Sequence, residues 1–180
     1  MKNFRDMCIV ACMLLLTVTT NAQEKVDQEV MADAEKAKVM LQTANDKLDG
    51  FFENSTGYAI FPNVGEGGLI VGGASGNGVV YENGEVVGMA DLKKVDVGLQ
   101  AGGQAITQVI FFETEEALNE FKQGELELSA EAKAVALQKG ASIDANYDDG
   151  VIVFAKPKEG LMADVSVGGQ KFDYTAIDNL

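Results

Sequence analysis

The stretch of sequence that decides the fold runs from Gly57 to Phe112 and reads GYAIFPNVGEGGLIVGGASGNGVVYENGEVVGMADLKKVDVGLQAGGQAITQVIFF. Thirteen of the 20 glycines in the chain fall within it, and short apolar runs rich in Val, Ile and Phe separate them. Asn83-Gly84 stands between two of these runs. Asn-Gly in that position is a strong signal for a β-hairpin, because a type I′ turn needs φ > 0 at both of its central residues. The stretch therefore predicts successive antiparallel strands.

These predicted strands contain glycines, which weaken a strand unless the backbone must bulge, bend or let another group come close. The predicted strands are Tyr58–Phe61, Leu69–Gly73, Val79–Glu82, Glu85–Ala90, Asp96–Gly103 and Ala105–Phe112. We therefore expect a bent or barrel-like sheet rather than a flat one. A glycine-lined binding site is the alternative interpretation.

Two helices are predicted on either side of this stretch. Apolar residues recur every three or four positions from Gln23 to Phe52, which predicts one long amphipathic helix. Thr114 is a predicted N-cap for a short helix that Gly124 ends.

The segment that follows the short helix gives two conflicting signals. Residues 130–138 have high helix propensity, but Leu126, Leu128 and the alanines up to Ala136 alternate with mostly polar neighbours. We expect a strand, since the alternation persists over so many residues, with the alanines on one packed face.

The C-terminal part predicts further strands at Val151–Lys156, Leu161–Val167 and Lys171–Tyr174. The expected fold class is therefore α+β, in a single domain over residues 23–180. A long N-terminal helix and one short central helix would pack on a curled, largely antiparallel, glycine-rich sheet, either barrel-like or a sandwich.

The first 22 residues have the features of a secretory signal peptide. Lys2 and Arg5 precede an apolar run from Met7 to Val18, and Thr20-Asn21-Ala22 fits a cleavage site. The run is too short to span a bilayer comfortably. A lipoprotein signal ending at Cys12 is the alternative, although the apolar run continues past that cysteine. We therefore expect a secreted or periplasmic protein cleaved after Ala22, with association to a membrane as an option.

The charge balance excludes several classes of function. The chain has 14 Lys and Arg against 28 Asp and Glu, for a formal net charge of −14, and losing residues 1–22 would move this to −15. A nucleic-acid partner is not expected, because the few lysines are scattered among acids. Residues 23–180 contain no Cys, His, Trp or Arg. Ser-His and Cys-His couples and ordinary zinc sites are therefore excluded, and we expect no enzyme and no cofactor.

The acidic segment from Asp144 to Gly150 suggests a calcium loop, but the spacing does not fit an EF-hand. Asp149 stands where the loop needs Gly, and Ala155 stands where it needs a bidentate Glu. A solvated acidic turn is favoured, with a cation site of another type as the alternative.

The order of several short motifs resembles the SYLF-domain family. The motifs are Gly57–Pro62, Gly72-Gly73, Gly76–Gly78, Gly98–Gln104, Phe111-Phe112 with Glu115–Leu118 and Phe121, and Gly160–Ala163. The resemblance implies an exported lipid-binding protein, as in bacterial members; eukaryotic members bind lipids, often phosphoinositides, and some bundle actin. In eukaryotic members, lipid contact is attributed to a basic N-terminal helix. Here the segment from Gln23 to Phe52 has four lysines against seven acids, which argues against phosphoinositide specificity.

Local lysine clusters are the candidate lipid-binding residues of this acidic chain. Lys93 and Lys94 are expected in a turn after Leu92, and Lys156 and Lys158 flank Pro157. Leu92 and Leu161 are the neighbouring apolar residues that would enter the lipid. Ordinary loop lysines are the alternative interpretation. The alternative partner is an envelope protein that contacts an apolar face of the sheet or of a helix. A hydrolase that acts through carboxylates is the third hypothesis for the function.

The signal peptide gives the first testable prediction. Mass analysis of the exported protein should show a mature N-terminus at Gln23, because small residues at Thr20 and Ala22 follow the apolar run. A mature chain that begins at Cys12 and carries lipid mass would contradict this and establish a lipoprotein.

Overall fold

The computed structural model describes residues 24–68, 71–97, 103–126, 128, 134–137, 145–158 and 167–177. Within these ranges there are three helices and seven strands. The helices are α1 (24–44), α2 (Lys47–Asn54) and α3 (Glu115–Gln123). The strands are β1 (Gly57–Gly68), β2 (Val71–Glu82), β3 (Glu85–Val97), β4 (Gly103–Phe112), β5 (Val135–Ala136), β6 (Val151–Pro157) and β7 (Lys171–Ala176).

The strands form one open sheet in the order β5-β6-β4-β1-β2-β3-β7. Every neighbouring pair is antiparallel except β5 with β6. The predicted α+β class and the curled, largely antiparallel sheet are confirmed, although the sheet does not close into a barrel. Register shifts interrupt β1 near Pro62 and β2 near Tyr81, as expected for a bent sheet.

The predicted hairpin at Asn83-Gly84 is confirmed. The two residues have φ of 52° and 83°, and Glu82 pairs with Glu85 across the turn. Beyond the turn, β2 and β3 stay paired as far as Val71 and Val97. The predicted turn at Lys93-Lys94 is therefore wrong: β3 continues through both lysines, because β2 and β7 supply hydrogen-bonding partners on its two sides.

Both faces of the sheet are covered, and alternate residues of each strand belong to different cores. On one face, α1 and α2 bury a cluster that includes Tyr58, Tyr81 and Phe111. On the other face, α3 packs through Leu118 and Phe121. The central strands can be apolar on both sides because each side has its own cover.

The predicted N-terminal helix is two helices. The break lies at Asn45 and Asp46. Asn45 is buried, and its side-chain oxygen accepts a hydrogen bond of 3.1 Å from the backbone N–H of Lys47. This bond competes with continued helical pairing, so α1 ends here and α2 begins as a separate helix at Lys47. The apolar periodicity did not reveal the break, since it runs through both helices.

The predicted short helix is confirmed as α3, together with both of its end signals. The Thr114 side chain accepts a hydrogen bond from the Ala117 N–H, and Gly124 ends the helix with φ of 71°. The strand expected over residues 126–136 is wrong at its first residue. The Leu126 N–H bonds to the Glu120 carbonyl and so belongs to the end of α3.

Only Val135 and Ala136 of that segment form a strand, and residues 127 and 129–133 lie outside the described ranges. Ala134 is buried while Ala136 is exposed, so the expected shared alanine face is wrong for this pair. Of the predicted strand at Leu161–Val167, only Val167 is described, and it lies in no strand.

Glycine at position 88 is required by the close approach of β7. A Cβ atom there would lie 2.3 Å from Tyr174 Cε2 and 2.5 Å from the Thr175 carbonyl oxygen. At Gly65, by contrast, a Cβ atom would have no neighbour within 4 Å. The two glycines therefore form a matched pair within one sheet.

We expect Gly88→Ala to lower the free energy of unfolding by roughly 1–3 kcal/mol, because β7 would have to move away from β3. Gly65→Ala should change it by no more than about 0.5 kcal/mol. Denaturant unfolding of both variants measures the difference. Equal effects of the two substitutions would show that the β3–β7 contact is not as close as described.

Candidate functional site

The registers of the strands align one residue from each of five strands, together with the residue that follows β6, in a single row. Lys93 pairs with Ser75 on one side and with Lys171 on the other, Ser75 pairs with Gly65, and Gly65 pairs with Ala105. The backbone N–H of Lys158 then donates to the Ala105 carbonyl over 3.0 Å. We call these six residues the lysine row. They are Lys171, Lys93, Ser75, Gly65, Ala105 and Lys158, and all six are exposed.

The lysine row lies on the face of the sheet that carries α1 and α2. Met89 is on the same side of β3 as Lys93, and it packs against the cluster beneath those helices. Because every member of the row is exposed, the helices leave this end of the face open. The central strands contribute only small residues to it, whereas the lysines stand on both flanks. Lys93 and Lys158 are four strand spacings apart, which is about 19 Å along the sheet.

Three of the lysines predicted from sequence are brought together here. Lys93 forms an ion pair of 2.9 Å with Asp173, and this hydrogen bond raises the lysine pKa above its ordinary value. Lys158 donates a hydrogen bond to Asn63, and Lys156 is half-buried at the end of β6. Two chain segments more than 60 residues apart therefore contribute to the same end of the sheet.

The other predicted residues lie elsewhere. Leu92 is 1 % exposed and belongs to the core under α3, since its side chain points to the opposite face from Lys93. The expectation that Leu92 enters lipid is therefore not met by its position in this fold. Lys94 shares that inner face and is 7 % exposed. Leu161 lies outside the described residues.

Lys171 belongs to the row, although no sequence pattern predicts it. It stands alone in sequence after Gly168-Gly169, and no local pattern links it to Lys93, 78 positions earlier. Only the β3–β7 register places the two side by side.

Charge is distributed unevenly along the strand direction. Lys156, Asp91 and Asp173 lie two residues before the lysine row, on the side of the Asn83-Gly84 turn. Four described lysines lie in or beyond the row, and they are Lys93, Lys94, Lys158 and Lys171. We call this the lysine end. The opposite end carries Glu53, Glu82, Glu85, Glu113, Glu115, Glu116, Asp148 and Asp149. Among the described lysines, Lys122 lies at this acidic end, where it forms an ion pair of 2.7 Å with Glu82.

A second polar cluster joins α1 to the sheet. Lys38 Nζ donates to the Tyr58 hydroxyl over 2.8 Å and lies 5.1 Å from the ring centroids of Phe52 and Tyr58. The Tyr81 hydroxyl donates to Glu35 over 3.1 Å. Burial, followed by the negative charge of Glu35, raises the pKa of Tyr81. These groups satisfy one another, so the cluster stabilises the docking of α1.

The acidic side chains of the described residues do not form a metal site. No group of three or more Cys, Asp or Glu side chains among them is placed to hold a metal ion. Asp149 and Gly150 have φ of 47° and 75° and form a tight turn between Asp148 and Val151, which bond to each other through their backbones. Asp148 and Asp149 are exposed, as expected for a solvated acidic turn, and Asp144 lies outside the described ranges. Among the helices described, none has the length and apolar character to cross a membrane.

Comparisons with known proteins agree with the resemblance seen in the sequence. Residues 93–179, just under half of the chain, match the model of the family described as "Ysc84: Las17-binding protein actin regulator", which is the SYLF domain. A curated relative is "Beta cell expansion factor A" from Aeromonas veronii. It is 26 % identical over 160 residues, which cover 88 % of this chain and 60 % of the relative. The chain thus spans about 60 % of the length of the curated relative that it matches. The predicted resemblance is confirmed: residues 93–179 match the SYLF-domain family.

Proposed function

We propose that this chain is an exported, non-catalytic module that binds the surface of an anionic phospholipid membrane through its lysine end. The observation that carries the proposal is the row that gathers Lys93, Lys158 and Lys171 on one open face of an otherwise strongly acidic protein. The match to this family supports a binding module of the lipid- or actin-binding type. The lipid, the membrane and the export are the proposed parts.

The number of lysines matters because each contributes little. A lysine close to an anionic leaflet contributes about 1 kcal/mol, so an isolated pair gives only marginal adhesion. The register adds Lys171 to Lys93 and Lys158, so three exposed lysines would face one surface, whereas Lys94 is buried on the opposite face. Binding of this kind is salt-dependent, since the charges are exposed and screened within about 10 Å at 0.1 M salt.

The carboxylates at the acidic end would orient the protein on the membrane. An anionic leaflet repels the carboxylates at the Asn83-Gly84 end and attracts the lysines at the other end, so the protein would approach with its strands pointing toward the membrane. A net charge of −14 then limits non-specific adhesion through other surfaces.

Export is proposed from the N-terminal 22 residues. An exported protein does not meet actin, which favours lipid over the actin-related partner in the family description. An envelope protein with an acidic surface is the alternative partner. It would use the same lysines, but it would not require a bilayer.

Co-sedimentation with phosphatidylcholine vesicles, with and without phosphatidylglycerol, tests this proposal. The wild-type chain should bind the anionic vesicles and release them as salt rises. We expect Lys158→Glu/Lys171→Glu to lose most of this binding.

Lys25→Glu/Lys36→Glu is the matched control, because both lysines are exposed on α1 and the change in net charge is the same. This control should keep most of the binding. Equal losses in both double variants would show that net charge alone governs adhesion. Failure of the wild-type chain to bind either vesicle would overturn the membrane proposal and leave the envelope protein as partner.

A further inference from the structure

Two lysines face each other directly across the outer pair of strands. Lys93 on β3 is the register partner of Lys171 on β7, and both side chains are exposed on the same face. Like charges directly opposite in a sheet are unfavourable. The next pair on this face, Asp91 with Asp173, is also like-charged. We call Lys93, Lys171, Asp91 and Asp173 the quartet. A shift of two residues would place one Asp directly opposite one Lys, whereas the observed register leaves opposite charges only on the diagonals.

The quartet compensates its charges unequally. Lys93 reaches diagonally to Asp173 over 2.9 Å, and Asp91 accepts a hydrogen bond of 2.8 Å from the Asn77 side chain. Lys171 makes no hydrogen bond or ion pair with any residue that the structure describes. Lys171 is therefore the cation of the quartet that has no described partner, and it stands next to the ammonium group of Lys93.

The surface beside this pair is accessible to a small anion. Ser75 is the partner of Lys93 on β2 and exposes a hydroxyl on the same face, and Gly65 follows on β1 with open space above it. Two ammonium groups and one hydroxyl offer donors to the several oxygens of a phosphate. Lysine is a common phosphate ligand, acting as a point charge with three rotatable donors.

We propose that Lys93, Lys171 and Ser75 form a subsite for the phosphate group of a membrane lipid. This inference rests on the proposed function and names the headgroup chemistry of the same surface. A bound phosphate would turn the unfavourable lysine pair into a favourable one. The unbound protein therefore has no need of Lys171, whereas the bound protein depends on it.

NMR titration of the amide groups with sn-glycerol 3-phosphate tests the subsite, with sodium chloride at equal ionic strength as the reference. Signals of Ser75, Lys93 and Lys171 should shift and saturate together. We expect Lys171→Gln to weaken this binding about tenfold or more, because it removes one charged donor. Ser75→Ala should weaken it less, without changing any charge. Lys25→Gln, on α1, is the control and should bind as the wild-type chain does.

Thermal unfolding separates a binding role from a structural one. In buffer, the midpoint of Lys171→Gln should be no lower than that of the wild-type chain, since the substitution relieves repulsion. With glycerol phosphate, the wild-type midpoint should rise and that of the variant should not. A clearly lower unfolding midpoint of Lys171→Gln in buffer would overturn the inference, because it would show that Lys171 stabilises the fold.

Further outcomes distinguish the sources of phosphate and the two proposals. Shifts that spread over all lysines without saturation would show diffuse screening and overturn the subsite. Two results together would assign the subsite to free phosphate and overturn the lipid source. One is saturable binding of inorganic phosphate, and the other is vesicle binding that Lys171→Gln weakens no more than Lys25→Gln does. If Lys171→Gln keeps glycerol phosphate affinity while Lys158→Glu/Lys171→Glu still loses vesicles, the subsite fails and the proposed function stands.

Discussion

The register of the β2–β3 hairpin is the constraint on which the rest of this structure depends. The Asn83-Gly84 turn fixes it, because both residues take positive φ and leave Glu82 opposite Glu85. From there the pairing carries ten residues down the strands to Lys93 and Lys94. A slip of one residue would exchange the two faces, so that Lys94 would be exposed and Lys93 buried. Both cores, the open face and the position of Lys93 follow from that one turn, together with the bulges that restore alternation. The β3–β7 and β4–β6 registers then add Lys171 and Lys158 to the row.

Helix docking determines how much of this face stays open. Ala34 and Ala37 let α1 lie close to the sheet, and Lys38 with Tyr58 and Glu35 with Tyr81 fix its position by hydrogen bonds. Lys38 and Glu35 belong to the N-terminal helix, which in eukaryotic members is expected to contact lipid. In this chain their side chains instead hold α1 on the sheet. The same helix exposes Lys25 and Lys36 among several acids, whereas the open part of the sheet gathers Lys93, Lys158 and Lys171 in one row. An acidic protein thereby keeps a small cationic surface, separated along the strands from the carboxylates at the other end.

Much of the fold could be predicted because its signals are local. Asn83-Gly84, the Thr114 cap and the Gly124 stop each act within a few residues, and all three are confirmed. The helix break at Asn45 was missed because a buried side-chain hydrogen bond interrupts a periodicity that continues on both sides. The strand predicted from the alternation is wrong at Leu126 because this residue belongs to the end of α3. Of the candidate site, Lys93, Lys156 and Lys158 could be named as local clusters, but the inward direction of Leu92 and the contribution of Lys171 depend on register between distant strands.

Labelling the two ends of the sheet tests the central claim, that the lysine end faces the membrane, most directly. Residues 23–180 contain no cysteine, so Ala105→Cys in the lysine row and Glu85→Cys at the acidic end each give a single labelling site. Both positions are exposed. A fluorophore at each site would be measured on anionic vesicles that contain nitroxide-labelled lipid. The account predicts strong quenching at position 105 and little at position 85. Equal quenching at both sites, or stronger quenching at position 85, would contradict it.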